Sequence, residues 1–222
     1  MTAAGVRQSA PGAAPAPARG AVHGWLRLAC LYLISRRAPA ALALLAGLGA
    51  LLWAALRWRW TIAGGPAAQL VIPLTIETGA AAVIAVTAHG PFGEPERATG
   101  RWLPYLRLGA IVALTAAAVG LLAAGAAAGA LSGGFLALSR NVAGITGIGL
   151  LSAVVLGGAF AWTGPMAYLV LTETLLAGNA TTPWIWAARP PHDLGGALCA
   201  ATVFAAGALL ITVRGSHESV RE

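Results

Sequence analysis

What most constrains this chain is the length of its apolar runs. A bilayer core about 30 Å thick takes about 20 apolar residues of helix to cross. Residues 39–56, 66–88, 108–131, 141–162 and 195–213 meet or approach that length. A sixth run, 165–178, is short for a full crossing. The segment after it, "NATTPWIWAARPPHD", holds Pro183, Pro190 and Pro191, which forbid a continuous helix, while Trp184, Ile185 and Trp186 suit interfacial depth. The expected fold is therefore all-α: a polytopic membrane protein with six transmembrane helices. The fifth is expected to cross and then break into a partly re-entrant segment before the sixth. With 58% hydrophobic and 9% charged residues, the 222-residue chain lies outside the composition of soluble domains.

The flanks divide by composition. Residues 1–21 are Ala/Pro-rich and read as a disordered tail, without a signal peptide's order of basic, apolar and cleavage regions. Residues 22–37, "VHGWLRLACLYLISRR", are apolar enough to bind lipid, but Arg27 interrupts them and a basic pair ends them. An interfacial helix on the inner leaflet accounts for this pattern, with a simple extension of the first span as the alternative. The membrane domain then covers 38–214, with loops at 89–107 and 179–194 and a cytoplasmic tail at 215–222.

Six crossings place both termini on one side, and the arginines decide which. With the ends inside, Arg7, Arg19, Arg27, Arg36, Arg37, Arg97, Arg101, Arg107, Arg214 and Arg221 are cytoplasmic, against Arg57, Arg59, Arg140 and Arg189 outside. Ten against four obeys the positive-inside rule. The net charge of +7 thus reads as a topology signal and not as a nucleic-acid surface, because the arginines border apolar runs. Absence of lysine together with abundant Ala and Gly suggests a GC-rich bacterial source, hence the bacterial cytoplasmic membrane.

The cytoplasmic loop at 89–107 is longer than a turn requires. Within it, "EPERATGRW" sets Glu94 and Glu96 near a helix start, where negative charge suits the dipole, and Arg97 and Arg101 four apart on one face. Phe92 and Trp102 can anchor such a helix parallel to the membrane. It reads equally as a docking knob for a cytoplasmic partner or as a solvated loop that fixes topology.

Two carboxylates stand inside spans, Glu77 in "VIPLTIETGA" and Glu173 in "AYLVLTETLLAG". A central charge costs about 2.5 to 3.5 kcal/mol even on insertion scales, so each needs a partner, water or a proton. Both are candidates to face a translocation pathway or a subunit interface; packing as neutral, hydrogen-bonded side chains is the bland reading. Arg140 and Asn141 are expected to open the fourth span, bonding neighbouring helix ends, binding an anionic headgroup or simply anchoring at the interface. Gly144 and Gly147 behind them offer small faces for helix approach, and Gly125 and Gly129 form a GxxxG on the third span. The tryptophans cluster near span ends as anchors. The four histidines and two cysteines show no metal-like or disulfide spacing.

The order of these elements resembles the six-helix permeases of type 2 ABC exporters. They share an amphipathic first helix, the loop "GPFGEPERATGRWLP" after the second span, and a broken segment between the fifth and sixth. The stretches "RNVAGITGIGLL" (140–151) and "AWTGPMAY" (161–168) are similar to those of actinobacterial members. The resemblance covers roughly residues 22–214. It implies that Pro91, Phe92, Gly93, Glu94, Glu96, Arg97, Arg101 and Trp102 form the coupling helix that touches a separate ATP-binding subunit. It also implies a second permease, identical or homologous, and outward transport. ATP and Mg would then sit on the partner ATPase, leaving this chain non-catalytic and without a cofactor of its own. Consistent with that, the chain has no GxxxxGK[ST] and no lysine to serve one. The apolar spans favour an amphipathic or lipid-like cargo. The competing readings are a proton-coupled secondary transporter using Glu77 and Glu173, and a non-transporting scaffold or immunity protein.

Overall fold

The computed structural model describes residues 38–58, 68–88, 103–127, 129, 133–176 and 182–214. The tail, residues 22–37, the charged loop through Trp102 and residues 215–222 lie outside them. Among the described residues the order is α1 (Ala38–Arg57), α2 (Ala68–Ala88), α3 (Leu103–Ala126), α4 (Gly134–Leu156), a 3₁₀ turn (Gly158–Phe160), α5 (Thr163–Leu176), a second 3₁₀ turn (Trp186–Ala188) and α6 (Leu194–Arg214).

Five of these helices, α1, α2, α3, α4 and α6, are long and apolar enough to cross a membrane. α5 has 14 residues. At 1.5 Å per residue that is about 21 Å, short of a bilayer core. α4 ends at Gly157, which takes φ 91° and ψ 159°, a backbone conformation that residues with a Cβ avoid. The first 3₁₀ turn follows it, so the last residues of the run 141–162 form the corner that leads into α5.

Two helices, α3 and α4, start well before their apolar runs. α3 includes Leu103 and Pro104, since a proline in the first turn loses no intrahelical hydrogen bond. α4 begins at Gly134, after Gly133 in a left-handed conformation, and runs almost two turns before it reaches Asn141. Arg140 and Asn141 therefore do not open the helix as the sequence pattern suggested. "GFLALS" carries enough helix-compatible residues to extend it, and the two polar side chains enter the protein.

α4 is the hub of the bundle: 67% of its spanning window is buried, against 28–44% for the other four. Against α6 it packs through glycine. A Cβ on Gly147 would lie 2.6 Å from the Phe204 backbone, and one on Gly207 2.6 Å from the Gly147 carbonyl oxygen. α1 and α3 meet in the same manner. A Cβ on Gly49 would lie 2.8 Å from the Leu121 carbonyl oxygen, one on Gly125 would collide with the Gly49 carbonyl, and one on Gly129 would press on Leu56. Of the GxxxG expected on the third span, only Gly125 lies on α3, and it packs against Gly49; Gly129 falls beyond the end of the helix and faces Leu56. Lipid supplies no hydrophobic force between helices, so close backbone approach, with its dispersion gain, holds such seams. Leu45 and Leu52 of α1, Ile76 and Ile84 of α2, Leu122 of α3 and Leu138 and Val142 of α4 fill the space between.

Candidate functional site

The site begins at an interruption in α2. Pro73 has no N–H for the carbonyl one turn before it, while Thr75 and Thr78 donate their hydroxyls to the carbonyls of Val71 and Leu74, each at 2.7 Å. One turn on stands Glu77, about 14 Å along the helix axis from its start and 4% exposed. α4 delivers its partner: Asn141 Nδ2 donates to Glu77 Oε2 at 3.0 Å. One hydrogen bond thus joins a carboxyl and an amide across two helices, two groups that are costly to leave unpartnered in a span.

The neighbouring residue on α4 faces the connection into α6. Arg140, 7% exposed, donates from Nη1 to the Pro190 carbonyl at 2.8 Å and from Nη2 to the Arg189 carbonyl at 2.9 Å. The connection is then locked from within. Arg189 donates from Nε and Nη2 to the Asp193 carboxylate at 2.9 and 3.0 Å. Asp193 Oδ2 also accepts the Gly196 N–H at 2.7 Å, capping α6. The Arg189 guanidinium first, and the Gly196 N–H second, hold the Asp193 carboxyl down at about 2. The same bond pushes the Arg189 guanidinium above its usual value.

Trp186 completes the frame. It is 2% exposed, stacks on Tyr168 of α5 at 4.7 Å between ring centroids, and fills the space where a Cβ on Gly144 would lie. The Tyr168 hydroxyl accepts a long hydrogen bond, 3.4 Å, from the Ala187 N–H. Trp186, which suits interfacial depth in the sequence, is buried within the protein, where Gly144 and Gly196 leave a slot that a large flat ring fills.

Between α2, the start of α4 and this connection lies a cavity of about 280 Å³. Pro73, Leu74 and Leu138 give it an apolar side, and Glu77, Asn141 and the backbone of residues 187–191 a polar one. Among the described residues, the buried Asn141 Oδ1 has no hydrogen-bond partner. Arg140 gives Nη1 and Nη2 to carbonyls and Arg189 gives Nε and Nη2 to Asp193, while the buried Arg140 Nε has no hydrogen-bond partner among the described residues. Glu77 and Asn141 therefore present hydrogen-bond acceptors. Among the described residues no group of three or more His, Cys, Asp or Glu side chains is placed to hold a metal ion.

Of the residues singled out in sequence, Glu77, Arg140 and Asn141 come together, and Gly144 and Gly147 support them from behind. Glu173 lies on α5, half-buried and away from the cavity lining. Pro91, Phe92, Gly93, Glu94, Glu96, Arg97, Arg101 and Trp102 lie outside the described residues. Sequence reasoning missed Asp193, Trp186 and Tyr168. An aspartate directly before "LGGAL" was a legible N-cap signal, whereas nothing in the pattern pairs Tyr168 with Trp186. No protein family, curated protein or solved structure matches this chain.

Proposed function

We propose that this chain is the membrane-spanning permease subunit of an ATP-binding-cassette exporter in a bacterial cytoplasmic membrane. It works with a separate ATPase that holds ATP and Mg, and with a second permease, to move an amphipathic or lipid-like substrate outward. The observation that carries this reading is the course of α2. Its first half lines the cavity with Pro73, Leu74 and Glu77, and its last residue, Ala88, leads directly into the charged segment that begins at His89. A displacement applied at Phe92 to Trp102 by an ATPase is therefore delivered to the helix that borders the cavity, with Pro73 as a bending point. In this reading α5 and the Trp186 segment together make the fifth of six crossings, the cavity belongs to the outer half, and both termini are cytoplasmic.

The test is purification of tagged protein from its native membrane, beside a variant carrying Glu94→Ala, Glu96→Ala and Arg97→Ala, with ATP hydrolysis as readout. An ATPase that accompanies the wild type and is lost or uncoupled in the variant supports the reading; no ATPase under gentle extraction overturns it. The position of Glu77 at the cavity also favours a second reading, a proton-linked carrier. That reading requires transport to follow a proton gradient and to collapse in Glu77→Gln with no ATPase present.

A further inference from the structure

The cavity has unequal walls, and the inequality specifies a ligand. Its apolar side is Pro73, Leu74 and Leu138. On its polar side the Asn141 amide has committed Nδ2 to Glu77, which leaves Oδ1 buried, 7% of the residue being exposed, and without a partner. Glu77, 4% exposed, offers carboxylate oxygens beside it. A buried amide oxygen and a carboxylate are both acceptors, and an unpaired buried acceptor costs free energy that a donor restores. Neither guanidinium is bonded to Glu77: Arg140 gives Nη1 and Nη2 to the carbonyls of residues 190 and 189 and is not part of the cavity lining, and Arg189 gives Nε and Nη2 to Asp193. The complement is a group with several N–H donors, a positive charge and an apolar body.

We propose that this cavity binds a small amphipathic amine, its ammonium group donating to the Glu77 carboxyl and its apolar part lying along Pro73, Leu74 and Leu138. As a class of cargo this rests on the permease reading. As a binding site it is a property of the chain alone.

The experiment uses the full chain in lipid nanodiscs, without any ATPase, and measures binding of benzylamine, benzyl alcohol and benzoate by titration calorimetry at neutral pH. The three share size and ring and differ in head group. Benzylamine is expected to bind the wild type about tenfold or more tighter than benzyl alcohol, the scale of a charge-assisted hydrogen bond. Benzoate is expected not to bind. Glu77→Gln, which keeps the shape and an acceptor for Asn141 Nδ2, is expected to bring benzylamine down to the level of the alcohol. Glu173→Gln, away from the cavity, is expected to leave it unchanged. Equal binding of amine and alcohol by the wild type overturns the proposal, as does preferred binding of benzoate or wild-type affinity in a folded Glu77→Gln. The wild-type comparison decides the matter even where the variant fails to fold. Amine binding without a co-purifying ATPase keeps the site and removes the permease; a co-purifying ATPase without amine binding does the reverse.

Discussion

Two stretches of α4 meet their neighbours by different means. Towards α6 the contact is made of glycine: Gly147 and Gly207 bring backbone onto backbone, with no room for one added carbon. Towards α2 a tight part, where Gly149 closes on Ala85 and apolar side chains pack, gives way at Asn141 to a single hydrogen bond to Glu77 with a cavity beside it. The first seam is fixed by shape, so it tolerates nothing larger. At Asn141 the second is polar, and its helices retain space between them there. Within lipid, where apolar contact alone gives no preference between helices and tails, a protein needs the first kind of seam to stay assembled and the second kind to hold something else.

Substitutions separate the two seams. The largest effect is expected from Gly147→Leu, which drives a side chain into the Phe204 backbone. Backbone cannot yield as a flexible side chain does, so a destabilisation of about 3 kcal/mol is expected in an SDS unfolding titration. Gly125→Leu is expected to act similarly on the α1–α3 seam; near-wild-type unfolding by either would break the contrast. Next comes Arg140→Met, which removes the donors from the carbonyls of residues 189 and 190 and is expected to cost about 1.5 to 3 kcal/mol in the same titration. Asn141→Leu removes the bond between α2 and α4, for which about 0.6 to 1.7 kcal/mol is the range of interhelical hydrogen bonds. A loss as large as that of Gly147→Leu would show that the polar seam is structural first.

The smallest effect belongs to Asp193. Its carboxyl stands at about 2 against an ordinary 3.8, so the folded protein favours the charged form more than the unfolded chain does. Its contribution is fully present above the ordinary value and is lost as pH falls through about 2. Asp193→Asn is therefore expected to flatten the acid limb of a stability-against-pH curve and to lower stability at neutral pH by the same small amount, since the pair is only partly shielded from solvent. An unchanged acid limb would mean that the Arg189 pair does not persist in solution.

The apolar runs made the helices legible because a membrane demands internal satisfaction of every backbone group and so leaves few options besides helix. Their ends were less legible. The α4 start was misplaced because Arg140 and Asn141 look like a boundary to any argument based on hydropathy, and only the fold shows that their polarity is consumed by Pro190, Arg189 and Glu77. Glu77 was recognised as needing a partner, yet its identity depends on which helices are neighbours and at what height, which no single-span pattern contains. Trp186 misled for the converse reason: its preference for interfaces was weaker than the slot left by Gly144 and Gly196. The shortness of α5 was legible in the run 165–178, whereas the end of α4 at Gly157, inside the run 141–162, was not, because one residue's backbone conformation outweighs the apolar run around it.

The Arg140 clamp carries a consequence for how this protein tolerates change. Its guanidinium grips main-chain oxygens, atoms that every amino acid possesses. At Pro190 the connection into α6 is thus anchored without regard to its spelling. Position 190 is free to vary in residue type so long as the carbonyl stays in place, while the whole requirement for identity falls on position 140. A saturation library should find the anchor intolerant and the anchored residue permissive, an asymmetry that lets the mouth of a cavity be rewritten for new ligands without loosening the wall behind it.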